Sequence, residues 1–287
     1  MKTFWKRFLV FILVISVTAC ENGDFNGENS ISDSNNDDSE KVNTSSFLPV
    51  SFWPSQAIEN NGLQLKFSDE ILEFYNEDSS QLTQIIDQWN NSITNKTLLN
   101  NSIQEIENFE PQDLEDYGSD NVFGIYVSND WFTDQDRFAL AITQYFGIRN
   151  ATGNLELVHG DIIINNGGDF EFFTDLSRGA PDAYDLSSIL IHEIGHFLGL
   201  GHQGFSADSI MRPTLRPFST EREVYDLDKE TISNLYPANE ISTNAIIASS
   251  LSSQAPKNEK KVIRGVIKLM ANGDCEHYED GKLIHKH

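Results

Sequence analysis

The sequence predicts a fold of the α+β or α/β class, and three observations carry that expectation. Patterns of strand and helix follow one another along the chain as strand, helix, several strands, helix, loop, helix. An apolar content of 39% over 287 residues is enough to bury one large core or two small ones. Two cysteines, Cys20 and Cys275, cannot staple a small disulfide scaffold, so that core must hold the fold together.

Taken in order, Leu63, Leu65 and Phe67 alternate with polar Gln64 and Lys66, as in a half-buried strand. Ser79 or Ser80 can cap a helix whose Leu82, Ile85, Ile86, Trp89 and Ile93 form one apolar stripe. Strand-like runs follow at Val122–Val127, Phe138–Phe146, Leu155–Val158 and Asp161–Asn165. A second helix is expected from Asp185 to about Leu198. A third, capped near Asp228, carries Ile232, Leu235 and Tyr236 and is stopped by Pro237.

Both ends of the chain read differently. Lys2, Lys6 and Arg7 precede the apolar run Phe8–Ile15 and the small residues before Cys20, so residues 1–19 read as a signal peptide too short for a comfortable membrane span. Val17-Thr18-Ala19-Cys20 resembles a bacterial lipobox, which implies lipidation at Cys20 and a membrane anchor there. Residues 20–46 are acidic and rich in Asn and Ser, a composition that buries too little to fold and reads as a disordered tether. Acid directly after the cysteine resembles the export signals of Gram-negative surface lipoproteins, implying the outer membrane or the cell surface. Residues 238–260 read as a linker, and 261–287 as a small meander with turns at Asn272-Gly273 and Asp280-Gly281. Three short strands are marginal alone and should dock on something. Cys275, His277, His285 and His287 lie in this meander. They could form a second metal site or reach the first; their loose spacing favours a free thiol with exposed tail histidines.

The second helix contains Ile191-His192-Glu193-Ile194-Gly195-His196-Phe197-Leu198-Gly199-Leu200-Gly201-His202. His192 and His196, four apart, project from one helical face at the separation of two zinc ligands. Glu193 can lean toward a water on the open side of a metal. Gly199 suits the left-handed turn that stops the helix, and His202 can then return as a third nitrogen. Three protein ligands leave a position open for water, the mark of a catalytic zinc rather than a structural one.

Ser209-Ile210-Met211-Arg212-Pro213 comes next. His-Glu-x-x-His-x-x-Gly-x-x-His followed by this methionine turn resembles the metzincin signature, and Gly199-Leu200-Gly201-His202, Pro213 and Asn234-Leu235-Tyr236 make the chain most similar to the matrixins. The resemblance implies a metzincin-like α+β sandwich over 47–237, with a twisted, mostly parallel sheet, an edge strand, an active-site helix and a C-terminal helix. It implies a zinc endopeptidase acting on protein or peptide substrates, with zinc on His192, His196 and His202, Glu193 catalytic, and Met211 as the floor of the site. Residues 212–222 would shape the pocket for the side chain after the cut, and Gly160–Asn165 resembles the edge strand along which substrate lies. No cysteine-bearing pro-segment fits between Cys20 and Phe47, and His159 with Asp161 alone does not make the second zinc site of animal matrixins. A different class of function is a surface-tethered adhesion lipoprotein with a vestigial zinc site; intact Glu193 and all three histidines count against it.

The net charge of −24 excludes a nucleic-acid binder working through a basic surface. Most of that acidity falls within 47–237, which suits a soluble, self-repelling monomer, calcium (Ca2+) sites, and steering of basic substrates.

Overall fold

The computed structural model describes residues 51–287 except 60, 95, 169, 205–207, 238–260 and 272–273. The expected signal peptide, tether, lipidated Cys20, linker and Asn272-Gly273 turn therefore lie outside the described residues.

Short elements open the chain: β1 (Ser51–Phe52), α1 (Ser55–Ile58), β2 (Leu65–Ser68) and α2 (Asp69–Phe74). The first long helix is α3 (Ser80–Asn90), which buries Leu82, Ile85, Ile86 and Trp89 as its stripe requires. Ser79 makes no side-chain cap; Asp78 accepts from the Ser80 amide instead, at 3.0 Å. Then come β3 (Gln104–Ile106), β4 (Phe123–Ser128), β5 (Ala139–Arg149), β6 (Leu155–Asn165), and the small pair β7 (Phe172–Phe173) and β8 (Tyr184–Asp185). Helix α4 (Leu186–Phe197) and helix α5 (Asp226–Leu235) precede three last strands, β9 (Val262–Met270), β10 (Cys275–Glu279) and β11 (Lys282–Lys286).

The main sheet runs β3-β2-β4-β6-β5-β9-β10-β11, with β1 also beside β6. From β3 to β6, and between β1 and β6, every pairing is parallel. From β6 outward through β5, β9, β10 and β11 every pairing is antiparallel. The fold is thus α+β of the expected kind. Its core sits between this sheet and helices α3 and α4, with Trp89, Leu190 and Ile194 among the fully buried residues.

Two sequence readings need correcting. The runs Leu155–Val158 and Asp161–Asn165 are one strand, because His159 and Gly160 stay in the ladder against Phe146 and Tyr145. That strand is not an edge: Ile162–Asn165 pairs with β4 on one side while Asp161–Ile164 pairs with β5 on the other. Helix α5 begins at Asp226 and is capped as expected, the Asp228 carboxylate accepting from the Tyr225 amide at 3.1 Å.

Candidate metal centre

Helix α4 starts at a tightly bound cap. The Asp185 carboxylate accepts from the Ser188 amide at 3.1 Å and the Ser188 hydroxyl at 2.5 Å, and both its oxygens receive the Arg222 guanidinium. That ion pair raises the Arg222 pKa further and ties the loop before α5 to the start of the helix.

At the other end α4 stops in a Schellman turn. The Leu200 amide donates to Gly195 O at 2.9 Å and the Gly199 amide to His196 O at 2.8 Å, with Gly199 at φ +96°. A Cβ on Gly199 would stand 2.2 Å from Ser51 O, so both backbone angle and space demand glycine there. Trp53 donates from its indole to Phe197 O at 2.6 Å, and the Tyr236 hydroxyl donates to Leu198 O at 2.7 Å, capping the orphan carbonyls.

The turn delivers His202 back to the helix. Nε2 of His196 lies 3.0 Å from Nε2 of His192 and 3.0 Å from Nε2 of His202. Nδ1 of His192 lies 2.8 Å from Ile210 O, and Nδ1 of His196 lies 2.8 Å from Leu200 O. A carbonyl only accepts, so these Nδ1 atoms carry the hydrogens and the Nε2 atoms present lone pairs. Burial lowers the pKa of His192 to about 4 and holds His196 and His202 well below the usual value, so all three are neutral at pH 7. Lone pairs converging this closely repel one another, and a divalent cation among them removes the repulsion. The donor set therefore fits zinc: three neutral imidazoles that could hold one ion together.

Glu193 lies beside this group and is fully buried. Its Oε2 accepts from the Thr143 hydroxyl at 2.5 Å, and its Oε1 has no partner among the described residues. Burial pushes its pKa up to about 8. Met211 packs beneath α4 where Gly195 leaves room: a Cβ there would meet the Met211 sulfur at 2.3 Å. The methionine turn is itself pinned by buried Asp228, which accepts from Ser209 Oγ at 2.5 Å, the Ile210 amide at 2.9 Å and the Tyr225 amide at 3.1 Å. A pocket beside His192 is walled by Ser188, Ile210, Arg212, Thr214, Leu215 and Glu221, which brings part of 212–222 to the site.

Thr143 and Asp228 escaped the sequence reading as members of the site. Thr143 sits on β5, fifty residues from its partner in sequence, where no spacing rule links them. Of the meander histidines, His285 is exposed as expected of a tail, but His277 and His287 are not. The His287 ring lies 5.0 Å from that of His202, His277 bonds the Tyr145 hydroxyl at 2.6 Å, and Cys275 is buried. A second group, Asp120, His159 and Asp161, could also hold a metal ion. Its oxygens are already engaged by the Tyr126 hydroxyl, the Gly124 amide and His159.

A buried helix with three convergent imidazoles and an adjacent carboxylate, set under the antiparallel strand of a mixed sheet, defines a catalytic-type metal centre of the metzincin kind. The matrixin family model matches residues 69–237, and the chain belongs to that family, which is zinc-dependent. It is similar to metalloendoproteinase 4-MMP of Arabidopsis thaliana, 36% identical over 86 residues, covering 30% of this chain and 25% of that protein. Metalloendoproteinase 2-MMP of the same plant is 40% identical over 72 residues, covering 25% of this chain and 18% of the relative. Metalloendoproteinase 1 of Glycine max is 40% identical over 57 residues, covering 20% of this chain and 18% of its own. The matches span no more than a quarter of these relatives' lengths.

Proposed function

We propose that this chain is a zinc-dependent endopeptidase that hydrolyses peptide bonds of extracellular or cell-surface proteins. The observation that carries the reading is the convergence of three imidazole Nε2 atoms, 3.0 Å from one to the next, beside a buried carboxylate with one oxygen unpartnered. His192, His196 and His202 would hold the zinc, which when bound supplies a Lewis acid that lowers the pKa of water toward ~7 and polarises a carbonyl.

The protein's own contribution is proton transfer and positioning. Thr143 holds Glu193 by Oε2 and leaves Oε1 to take a proton from the attacking water. The water oxygen bonds to the scissile carbon, the C–N bond breaks, and Glu193 returns the proton to the leaving amine. Nucleophilic side chains need take no part. Residues 212–222, of which Arg212, Thr214 and Leu215 border the site beside His192, would shape the pocket for the side chain after the cut.

The sequence supports an exported lipoprotein, anchored through Cys20 and exposed at the outer membrane or cell surface of a Gram-negative bacterium. Among the described residues no helix is long and apolar enough to cross a membrane. The test is digestion of a peptide library by zinc-loaded protein. New amino termini should form, vanish on chelation, and be absent with Glu193→Gln, which should keep its zinc. A Glu193→Gln protein as active as the unaltered one overturns the mechanism.

A further inference from the structure

Within residues 69–237 the sheet would end at β5, and β5 is the strand that touches the catalytic helix, through Thr143 and Glu193. An extended peptide adding to that edge would form antiparallel backbone hydrogen bonds beside the histidines. In this chain the edge is taken. Strand β9 pairs antiparallel with β5 from Val262 against Ile148 to Met270 against Ala139.

The pairing sets Ile267 opposite Thr143 and Leu269 opposite Ala141. Because side chains alternate, residues paired across neighbouring strands share a face. His277 pairs with Ile267 and Cys275 with Leu269, so both join Thr143 on the face turned toward α4. Cys275 is buried there. The His287 ring lies 5.0 Å from that of His202. The His287 amide donates to Cys275 O at 3.1 Å, which fixes the strand end beside His202.

The fit is built into both strands. Gly265 lies opposite Tyr145, and a Cβ on it would stand 1.8 Å from the Tyr145 ring. With glycine there, the Tyr145 hydroxyl reaches across β9 to His277 at 2.6 Å. At the far end, the Ala271 amide donates to Phe138 O at 2.8 Å and the Tyr184 hydroxyl donates to Ala271 O at 3.2 Å.

We propose that strands β9–β11 are an internal occupant of the substrate cleft: β9 takes the backbone hydrogen bonds of a substrate strand and the β10–β11 hairpin covers the histidines, so the intact chain cleaves more slowly than an opened one. This rests on the endopeptidase reading and deepens it. The restraint comes from the C-terminal side of the catalytic region.

The test uses the zinc-loaded full chain in three forms: unaltered, carrying Gly265→Val, and carrying a specific protease site inserted within 238–260 and cut. A hydroxamate-capped tripeptide, which chelates metal and presents an extended backbone, is titrated into each, and peptide cleavage is measured alongside. The expected result is at least tenfold tighter probe binding by the cut and Gly265→Val forms, with a parallel rise in cleavage. Equal probe affinity in all three forms, or no binding by any of them, overturns the inference. Tighter binding by the altered forms with no cleavage by any form leaves the cleft occupant standing and sinks the endopeptidase reading instead.

Discussion

Two groups of histidines meet at one cleft by different routes. His192, His196 and His202 come from one helix and the turn that follows it, and each position is dictated locally. His277, His285 and His287 come from strands that reach the cleft only because β9 pairs with β5 across more than a hundred residues of sequence. In the helix group His192 and His196 commit their Nδ1 hydrogens to carbonyls, and the three Nε2 atoms converge, as metal ligands require. In the strand group, His277 bonds a tyrosine and His287 packs against a ligand ring. Equal chemistry in the side chain thus yields different roles, according to what fixes the second nitrogen.

The sharpest way to break this comparison is to remove function from the helix group alone. Glu193→Gln should lower peptide cleavage by roughly 10²–10⁴-fold, with zinc content by atomic absorption unchanged. His196→Ala should lose the zinc, whereas His287→Ala should keep a full complement; loss in both would erase the distinction between the groups. Asp228→Ala leaves Ser209 Oγ and the Ile210 amide without their buried acceptor, so the methionine turn should loosen. A cost of about 2–3 kcal/mol is expected, read as a lowered urea midpoint at unchanged slope.

Thr143→Val removes the one hydroxyl that holds Glu193. It should cost about 1–2 kcal/mol in the transition state, seen as a several-fold fall in kcat with little change in KM. A shift in KM alone would make Thr143 a substrate contact rather than a positioning residue. Least of all, Leu283→Lys on the outer strand, where the side chain is 51% exposed, should change stability by no more than about 0.5 kcal/mol.

Much of the centre was legible from spacing. An i, i+4 histidine pair, a glycine where the helix must stop and a methionine in the following turn each express a local rule, and the structure keeps all of them. The short elements α2 and β3 were missed, because so few residues carry no readable period. The Gly160–Asn165 run was misread as an edge because its apolar residues suit any buried strand, and only pairing tells which neighbours it has.

The sequence by itself determined the class of fold, the histidine triad and the carboxylate beside it, because helical periodicity and capping act over a few residues. Tertiary structure alone decided which strand lies over helix α4, that Thr143 holds Glu193, that Asp228 pins the methionine turn, and that His287 lies beside His202. The physical reason is that strand pairing runs through backbone groups that every residue shares. Partners far apart in sequence therefore leave no mark in the side chains until the sheet is assembled.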